Sequence, residues 1–343
     1  MRAVLSSITW LIALLGAATS ARADPVADFF TGRAITMVVG FSAGGDYDLR
    51  ARLLAPYLTR YVPGHPTVVT QNMVGGAGVV AANWVANIAP RDGTVLFAIS
   101  SPSPVSQAIK LDGVNFDVRK FNWIGNTSSS QNLINSWYTS GVTTIDQARR
   151  QELVIGASAR NSGSYYYPMS LNLYAGTKFK IVSGYPGGND INLAMERGEV
   201  LGRGSNSWAS WKSTRPQWIA ERKIIPLVQV GISRNKELPD IPLMQDLTDD
   251  PVAKKVLRFI SLDTLISRAF VTTPGVPPER LAALRTAFEQ SLKDPDLLAE
   301  AAKQQMDIEP STGDEAAEIA REIVETDPAI VDIAKGFLLG QAK

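Results

Sequence analysis

Short β-branched runs alternate with amphipathic segments through residues 35–99, and this alternation is the feature that most limits the fold. The apolar runs at 35–41, 67–71 and 94–99 read as strands, and the segments between them carry apolar residues at helical spacing. Three strands separated by two helices favour a parallel sheet with right-handed crossovers. The pattern returns at 153–230. The sequence therefore predicts two α/β units of similar construction.

The helix after the first strand is expected to begin at Asp46, whose carboxylate would cap it. Its leucines recur on one face, which assigns Arg50, Arg52 and Arg60 to the solvent face.

Two further local expectations lie near the C-terminus. Asp249-Asp250 could suggest a metal site, but Pro251 follows, so a helix start is the simpler interpretation. Residues 260–272 read as extended, and Thr312-x-x-Glu315 is a capping box that opens the last helical segment.

Composition excludes several classes of chemistry. The 343 residues contain no Cys and one His, with 34 basic and 33 acidic side chains. Thiol nucleophiles, disulfides and nearly every zinc site are excluded, and no cofactor is indicated. The balanced charge argues against nucleic acid as a partner.

Residues 1–23 read as a secretory signal. Arg2 provides a positive start, residues 8–18 form a short apolar run, and Ala21-Arg22-Ala23 is an A-x-A cleavage site. The mature chain is expected to begin at Asp24 in the periplasm. The missing Cys also argues against a lipid anchor.

Gly- and Ser-rich loops follow the predicted strands, where open α/β sheets bind their ligands. The loops are Ser42–Asp46, Ser100–Ser103, Ser158–Ser164 and Tyr185–Gly188. Such loops lead into helix N-termini, whose free N–H groups and dipole favour anions. The sequence therefore predicts anion-receptive loops on two lobes.

Two motifs leave other functions open. Gly40-Phe-Ser-Ala-Gly44 matches the nucleophile elbow of α/β hydrolases, with Ser42 as nucleophile. The only His, His65, follows after about twenty residues, which is little room for the Ser–acid–His order. Gly76-Ala-Gly-Val-Val-Ala81 matches a dinucleotide fingerprint but follows the second strand, and close helix packing explains its glycines equally well.

Aromatic residues cluster at Tyr165–Tyr167 and at Trp208, Trp211 and Trp218. Core packing is the simpler interpretation for any single ring. Because the three tyrosines follow a Ser-Gly-Ser loop, at least one of them could wall a pocket.

Four ordered motifs together resemble the Bug family, the periplasmic receptors of tripartite tricarboxylate transporters. They are Ile35-Thr-Met-Val-Val-Gly-Phe-Ser-Ala-Gly-Gly-Asp-Tyr-Asp48, Val68-Val-Thr-Gln-Asn-Met-Val-Gly-Gly-Ala-Gly78, Ala89-Pro-Arg-Asp-Gly-Thr-Val-Leu96, and Gly184-Tyr-Pro-Gly-Gly-Asn189 through Glu196-Arg-Gly-Glu-Val200. The likeness extends over nearly the whole mature chain.

The resemblance implies a two-lobed periplasmic binding protein of the type II-like α/β class, with a mainly parallel sheet in each lobe and a ligand cleft between them. Lobe 1 would comprise 24–125 plus 263–343, and lobe 2 would comprise 126–262. Crossovers are expected near 123–130 and 261–267. The implied protein is a monomer, not an enzyme, that binds a small carboxylate and delivers it to integral membrane subunits.

The resemblance also implies fourteen ligand-binding residues. They are Phe41, Ser42, Ala43, Gly44, Gly45 and Asp46 of the first loop, Ser100 and Ser101 after the third strand, and Ser158, Ser162, Gly163, Ser164, Tyr185 and Gly188 of the second lobe.

The sequence departs from the family pattern at three positions. Gly40 replaces a Pro, Tyr167 a frequent His, and Pro186 a Lys. The loss of a His and a Lys together with added aromatic surface suits an aromatic or bulky monocarboxylate at least as well as citrate. Two other functions remain open, a secreted hydrolase that uses Ser42 and a ligand-sensing subunit for a membrane kinase.

Overall fold

A computed structural model describes residues 24–338, which build two α/β lobes. The predicted signal segment, residues 1–23, and its cleavage site lie outside the described residues. The strands are β1 (Ala34–Val39), β2 (Thr67–Asn72), β3 (Val95–Ala98), β4 (Asn122–Asn126), β5 (Asn132–Trp137), β6 (Leu153–Ala157), β7 (Phe179–Ser183), β8 (Gly202–Ser207), β9 (Ile224–Val230), β10 (Ala269–Thr272) and β11 (Ser311–Thr312).

Helices flank both sheets. They are α1 (Pro25–Phe30), α2 (Asp46–Tyr61), α3 (Val79–Asn87), α4 (Ser103–Ala108), α5 (Ile145–Arg150), α6 (Gly163–Tyr174), α7 (Gly188–Glu196), α8 (Trp208–Thr214), α9 (Pro216–Ala220), α10 (Pro251–Ser261), α11 (Pro278–Ser291), α12 (Pro295–Lys303), α13 (Gly313–Val324) and α14 (Pro328–Leu338). Short 3₁₀ turns occur at Gly76–Gly78, Met244–Leu247 and Leu262–Ile266.

The first sheet, on which lobe 1 is built, has the strand order β11-β4-β10-β3-β1-β2. Strand β1 pairs in parallel with both β2 and β3, which confirms the parallel unit predicted at 35–99. The other three strands pair antiparallel, because β4 leaves the lobe and β10 returns to it. The sheet is therefore mixed rather than mainly parallel.

The second sheet, on which lobe 2 is built, has the order β7-β6-β8-β5-β9 and is also mixed. Strand β6 pairs in parallel with β7 and β8, whereas β5 pairs antiparallel with β8 and β9. Strand β9 contains Pro226, which lacks an N–H donor and is tolerated because β9 is an edge strand.

The chain passes from the first sheet to the second between β4 and β5, and it returns between α10 and β10. Hydrogen bonds tie these two passages together. Ser130 N donates to Thr264 O at 3.2 Å, and Ser267 Oγ donates to Ser128 O at 3.1 Å. The last helix, α14, packs against α10 and α6 of lobe 2.

Two local predictions at α2 are wrong. The N-cap is Gly45, and the Asp46 carboxylate faces Arg50 and Arg268 instead of the helix N–H groups. Arg50 is only 3% exposed, because Arg268 and the backbone carbonyl of Asp307 cover that face of the helix. Helical periodicity cannot show which later segment covers a helix face.

The extended segment predicted at 260–272 is wrong in its first half. Helix α10 continues to Ser261 and a 3₁₀ turn follows, so only Ala269–Thr272 is a strand. Ser261 Oγ donates to Leu257 O and Thr264 Oγ1 to Ser261 O, each at 2.7 Å, and these local bonds favour helical geometry. The helix starts predicted at Pro251 and Thr312 are confirmed, since Asp250 caps α10 and the capping box opens α13. The helix opened by the capping box is not the last one, because α13 ends at Val324 and α14 begins at Pro328.

Between residues 24 and 338, no helix combines the length and the apolar character that crossing a bilayer requires.

Candidate functional site

A cavity of about 110 Å³ lies between the lobes, at the carboxyl ends of β1, β3, β6 and β8. Eleven of the fourteen predicted ligand-binding residues line it. They are Phe41, Gly44, Gly45, Asp46, Ser100, Ser101, Ser158, Ser162, Gly163, Ser164 and Gly188. The carboxyl ends of parallel strands converge at one edge of a sheet, so loops distant in sequence come together here.

The other three predicted residues lie beside the cavity. Ser42 Oγ donates to Asp190 Oδ2 at 2.7 Å and so links lobe 1 to lobe 2. Ala43 is exposed, and the Tyr185 ring packs on an apolar cluster of lobe 2. A ligand-binding role for the fourteen residues stays a prediction.

Three helices of nine or more residues begin at the cavity, α2 from lobe 1 and α6 and α7 from lobe 2. Their N-cap residues are Gly45, Ser162 and Gly187, and none of these caps its helix with a side chain. Elsewhere, Asp250 and Thr312 do cap their helices. The uncapped first turns therefore direct N–H groups and positive helix ends toward the cleft, where an anion would satisfy them.

A buried ion-pair cluster forms part of the lobe 1 wall. Asp46 pairs with Arg268, which also lines the cavity, and with Arg50 Nε at 3.3 Å. Burial alone would raise the pKa of Asp46, but Arg268 and Arg50 outweigh it and hold that pKa below its usual value. The Arg268 guanidinium also lies 4.6 Å from the centre of the Tyr47 ring and donates to Ser207 Oγ of lobe 2 at 3.2 Å.

Lobe 2 contributes an arginine that the sequence analysis missed. Arg203 on β8 lines the cavity and donates through Nη1 to Asn192 Oδ1 at 3.0 Å. Its Nε is buried and has no hydrogen-bond partner, and its guanidinium forms no ion pair within residues 24–338. Burial, together with the charge of Arg268, lowers the pKa of Arg203 to about 9, so the side chain stays cationic at neutral pH.

The remaining missed lining residues are mostly small and polar. They are Tyr47, Asn132, Asn189, Ile191, Asn192, Ser205, Asn206, Ser207, Ser210, Thr214 and Arg268. Pro102, in the predicted loop Ser100–Ser103, and Tyr167, one of the three tyrosines predicted to include a pocket wall, also line the cavity. Many lie on or after β8, whose sequence Gly-Arg-Gly-Ser-Asn-Ser has no apolar periodicity to mark it as a strand. For the lining residues between 205 and 210, the high density of Ser and Asn is the sequence signal that indicates a polar site.

Of the aromatic cluster, Tyr167 lines the cavity, whereas Trp211 and Trp218 are buried in lobe 2. Tyr166 and Tyr167 both donate from their hydroxyls to the fully buried carboxylate of Asp263, each at 2.6 Å. Asp263 lies on the passage that returns to lobe 1. Tyr167 therefore joins the cavity wall to this passage.

The buried Asp263 should make stability depend on pH. Burial raises its pKa from 3.8 to about 6 despite the two tyrosine hydrogen bonds. The folded protein then binds a proton between about pH 6 and 4 before the unfolded chain does, so this group stabilises the fold as the pH falls. From pH 7 to 5, the unfolding free energy of the wild type should rise by about 1 kcal/mol relative to Asp263→Asn. Urea titrations at both pH values measure this difference, and parallel pH profiles would contradict it.

The structure also places the motifs that left other functions open. His65 lies on an exposed turn with Nδ1 3.3 Å from Thr59 O, and within residues 24–338 its hydrogen bonds do not reach Ser42. A Cβ on Gly40 would lie 2.6 Å from Gly78 Cα, so the glycines of the 76–81 motif permit close packing. Asp250 is a helix cap, and the described residues contain no cluster of three His, Cys, Asp or Glu able to hold a metal.

Two curated proteins are similar in sequence. A UPF0065 protein encoded in a gbd 5′ region of Cupriavidus necator is 23% identical over 339 residues, 96% of this chain and 95% of the relative. BugT of Bordetella pertussis is 39% identical over 108 residues, 31% of this chain and 32% of the relative. No family model matches the chain.

Three solved structures share the fold. The periplasmic binding protein BugD matches with a TM-score of 0.72 at 17% identity, covering 90% of this chain and 98% of its own. MatC of Rhodopseudomonas palustris, solved with bound malate, matches with a TM-score of 0.69 at 18% identity, and the match covers 88% of this chain and 100% of MatC. A second R. palustris protein, solved with adipate, matches with a TM-score of 0.69 at 19% identity, and the match covers 88% of this chain and 97% of that protein. The chain therefore has the two-lobed α/β fold of a periplasmic binding protein, and its predicted resemblance to the Bug family is confirmed.

Proposed function

We propose that this chain is a periplasmic receptor that captures a small organic carboxylate between its lobes and delivers it to the membrane subunits of a tripartite tricarboxylate-type transporter. One observation carries the proposal: uncapped N-termini of α2, α6 and α7 converge on a single cleft from both lobes. Helix N-termini bind carboxylates through backbone N–H groups. The malate and adipate found in two structures of the same fold support this ligand class.

A hinge between the lobes completes the proposed function. Within residues 24–338, two covalent passages, near residues 127–131 and 262–268, connect the two sheets, and α14 at the end of the described chain packs back on lobe 2. A ligand that contacts both lobes binds their closed arrangement more tightly, and this difference in affinity favours closure. The closed monomer would be the form that the transporter recognises.

The alternative of a hydrolase is less well supported. Ser42 Oγ donates to Asp190, and the sole His occupies an exposed turn that pairs with Thr59. A serine nucleophile needs a base within hydrogen-bond reach and a third group that orients that base.

Thermal unfolding of the mature chain, residues 24–343, tests the proposal. The protein is first freed of bound ligand by denaturation and refolding, with mass spectrometry to verify removal, and then heated with mono-, di- and tricarboxylates. A ligand at about a hundred times its Kd should add about 2.7 kcal/mol, which raises Tm by several degrees. One chemical class of acid should produce this shift. If no acid moves the Tm of verified ligand-free protein, the carboxylate-receptor function is wrong.

A further inference from the structure

Arg203 is the one cavity-lining cation in the described chain that has no counter-ion. The charged side chains of the lining are Asp46, Arg203 and Arg268. Arg268 pairs with Asp46, whereas the one hydrogen bond of the Arg203 guanidinium within residues 24–338 goes to the neutral amide oxygen of Asn192. Arg203 is half-buried, and its Nε is out of contact with solvent. A cation partly removed from water without a counter-ion is unfavourable, so its position in a binding cavity indicates that an anion from the ligand pairs with it.

The surroundings of Arg203 add positive potential. Its guanidinium lies against Gly188, the first residue of α7, where the helix end carries positive potential. The charges of Arg268 and Arg215 act in the same sense, and Asp46 offsets them in part. The Trp211 ring centre lies 5.4 Å from the guanidinium carbon. The buried Nε, which lacks a partner, leaves a donor to satisfy. The arrangement suits a carboxylate, which can accept two parallel hydrogen bonds from one guanidinium.

Among the described residues, the opposite wall of the cavity offers no second cation with a free donor. There Asp46 already accepts from Arg268 and Arg50, and Phe41 stacks on Tyr47 with ring centres 4.9 Å apart. Asp46 is shared by two arginines, so the cluster keeps a positive charge, but every guanidinium nitrogen of Arg268 already donates, to Asp46, to Ser267 O and to Ser207 Oγ. A second carboxylate directed at this wall would therefore lose water without gaining a free N–H donor. An aliphatic or aromatic ligand body would instead bury apolar surface against the two rings.

We propose that Arg203 forms a direct ion pair with the ligand's carboxylate, and that this single free cation makes the cavity select monocarboxylates over dicarboxylates of the same shape. The inference rests on the receptor function proposed above. It assigns a single negative charge to the ligand and names Arg203 as the side chain that binds this charge.

Pairs of acids with a similar shape that differ by one carboxylate separate the effect of ligand charge on affinity from the effect of ligand shape. Ligand-free wild-type protein is titrated calorimetrically with hexanoate against adipate, and with benzoate against terephthalate. The monoanion of at least one pair should bind at least about tenfold more tightly than its dianion. Arg203→Gln should weaken monoanion binding about 100-fold, as expected when one partner of a desolvated charge pair is removed. Arg203→Lys should recover part of the loss, and Arg197→Gln, which removes an exposed charge of the same lobe, should change nothing.

Two further measurements keep the test independent of misfolding. Without ligand, Arg203→Gln should melt at a higher temperature than the wild type, because it removes an unpaired desolvated charge. Gly188→Ala keeps the charge but places a Cβ where the guanidinium now lies, so it should weaken monoanion binding as well.

The outcomes distinguish the two proposals. If each dicarboxylate binds as tightly as the monocarboxylate matched to it, or if Arg203→Gln binds the monocarboxylate within threefold of the wild type, the Arg203 inference is wrong and the receptor function stands. If the wild type binds no carboxylate of any class, the receptor function fails and this inference fails with it.

Discussion

Replacing Asp46 with Asn should lower the free energy of unfolding by about 3–5 kcal/mol, the range found when one partner of a buried ion pair is removed. Asp46 faces two arginines whose side chains are only 2% and 7% exposed, Arg50 and Arg268. An amide would leave both of these buried cations without a charged partner. Tm should fall by roughly 5–10 °C, measured by calorimetry and urea titration.

The matched control is Asp314→Asn. Asp314 also pairs with an arginine, Arg285 at 2.9 Å, but its side chain is 85% exposed. Exposed pairs contribute little, so this variant should melt with the wild type. The loss at Asp46 should also persist in 0.5 M salt, since buried pairs are weakly screened. A change at Asp46 no larger than that at Asp314 would show that the cluster does not stabilise lobe 1.

Asp46 also shows where sequence reasoning reaches its limit. It was correctly placed at the start of α2 and at the cavity, because the Gly-Gly loop after an apolar strand marks that position. The predicted capping role of Asp46 is wrong, because its carboxylate pairs with Arg268, which lies 222 residues later in the sequence. The predicted exposure of Arg50 is wrong for the same reason, because the residues that cover it, Arg268 and Asp307, also lie far away in the sequence.

The two lobes were not equally predictable. The loops after β1, β3 and β6 follow apolar runs, so the strand pattern predicts these loops, and the resemblance names the residues within them that line the cavity. Strand β8 is buried at alternate positions although it contains no large apolar residue, so its burial depends on the helices that cover it. Arg203 lies on β8. The cavity-lining cation without a counter-ion is therefore on a strand that the hydrophobic pattern does not predict.

Gly187→Ala should weaken carboxylate binding by at least about tenfold while leaving lobe 2 folded. Gly187 has φ −169°, an extended conformation that alanine adopts equally well. The constraint comes from the other lobe: a Cβ here would overlap Ser42 Oγ and lie 3.2 Å from Ser42 N. The substitution should therefore hold the lobes apart and reduce the population of the closed form that binds ligand.

The double variant Ser42→Ala/Gly187→Ala distinguishes this interlobe clash from a local defect. Removing Oγ eliminates the closest contact, so the double variant should recover most of the affinity that Gly187→Ala loses, a coupling that a double-mutant cycle measures. Ser42→Ala alone removes the 2.7 Å bond to Asp190 and should weaken binding only a few-fold. X-ray scattering should show Gly187→Ala larger than the wild type in saturating ligand. If the second substitution restores no affinity, Gly187 acts within lobe 2, and the contact with Ser42 does not control closure.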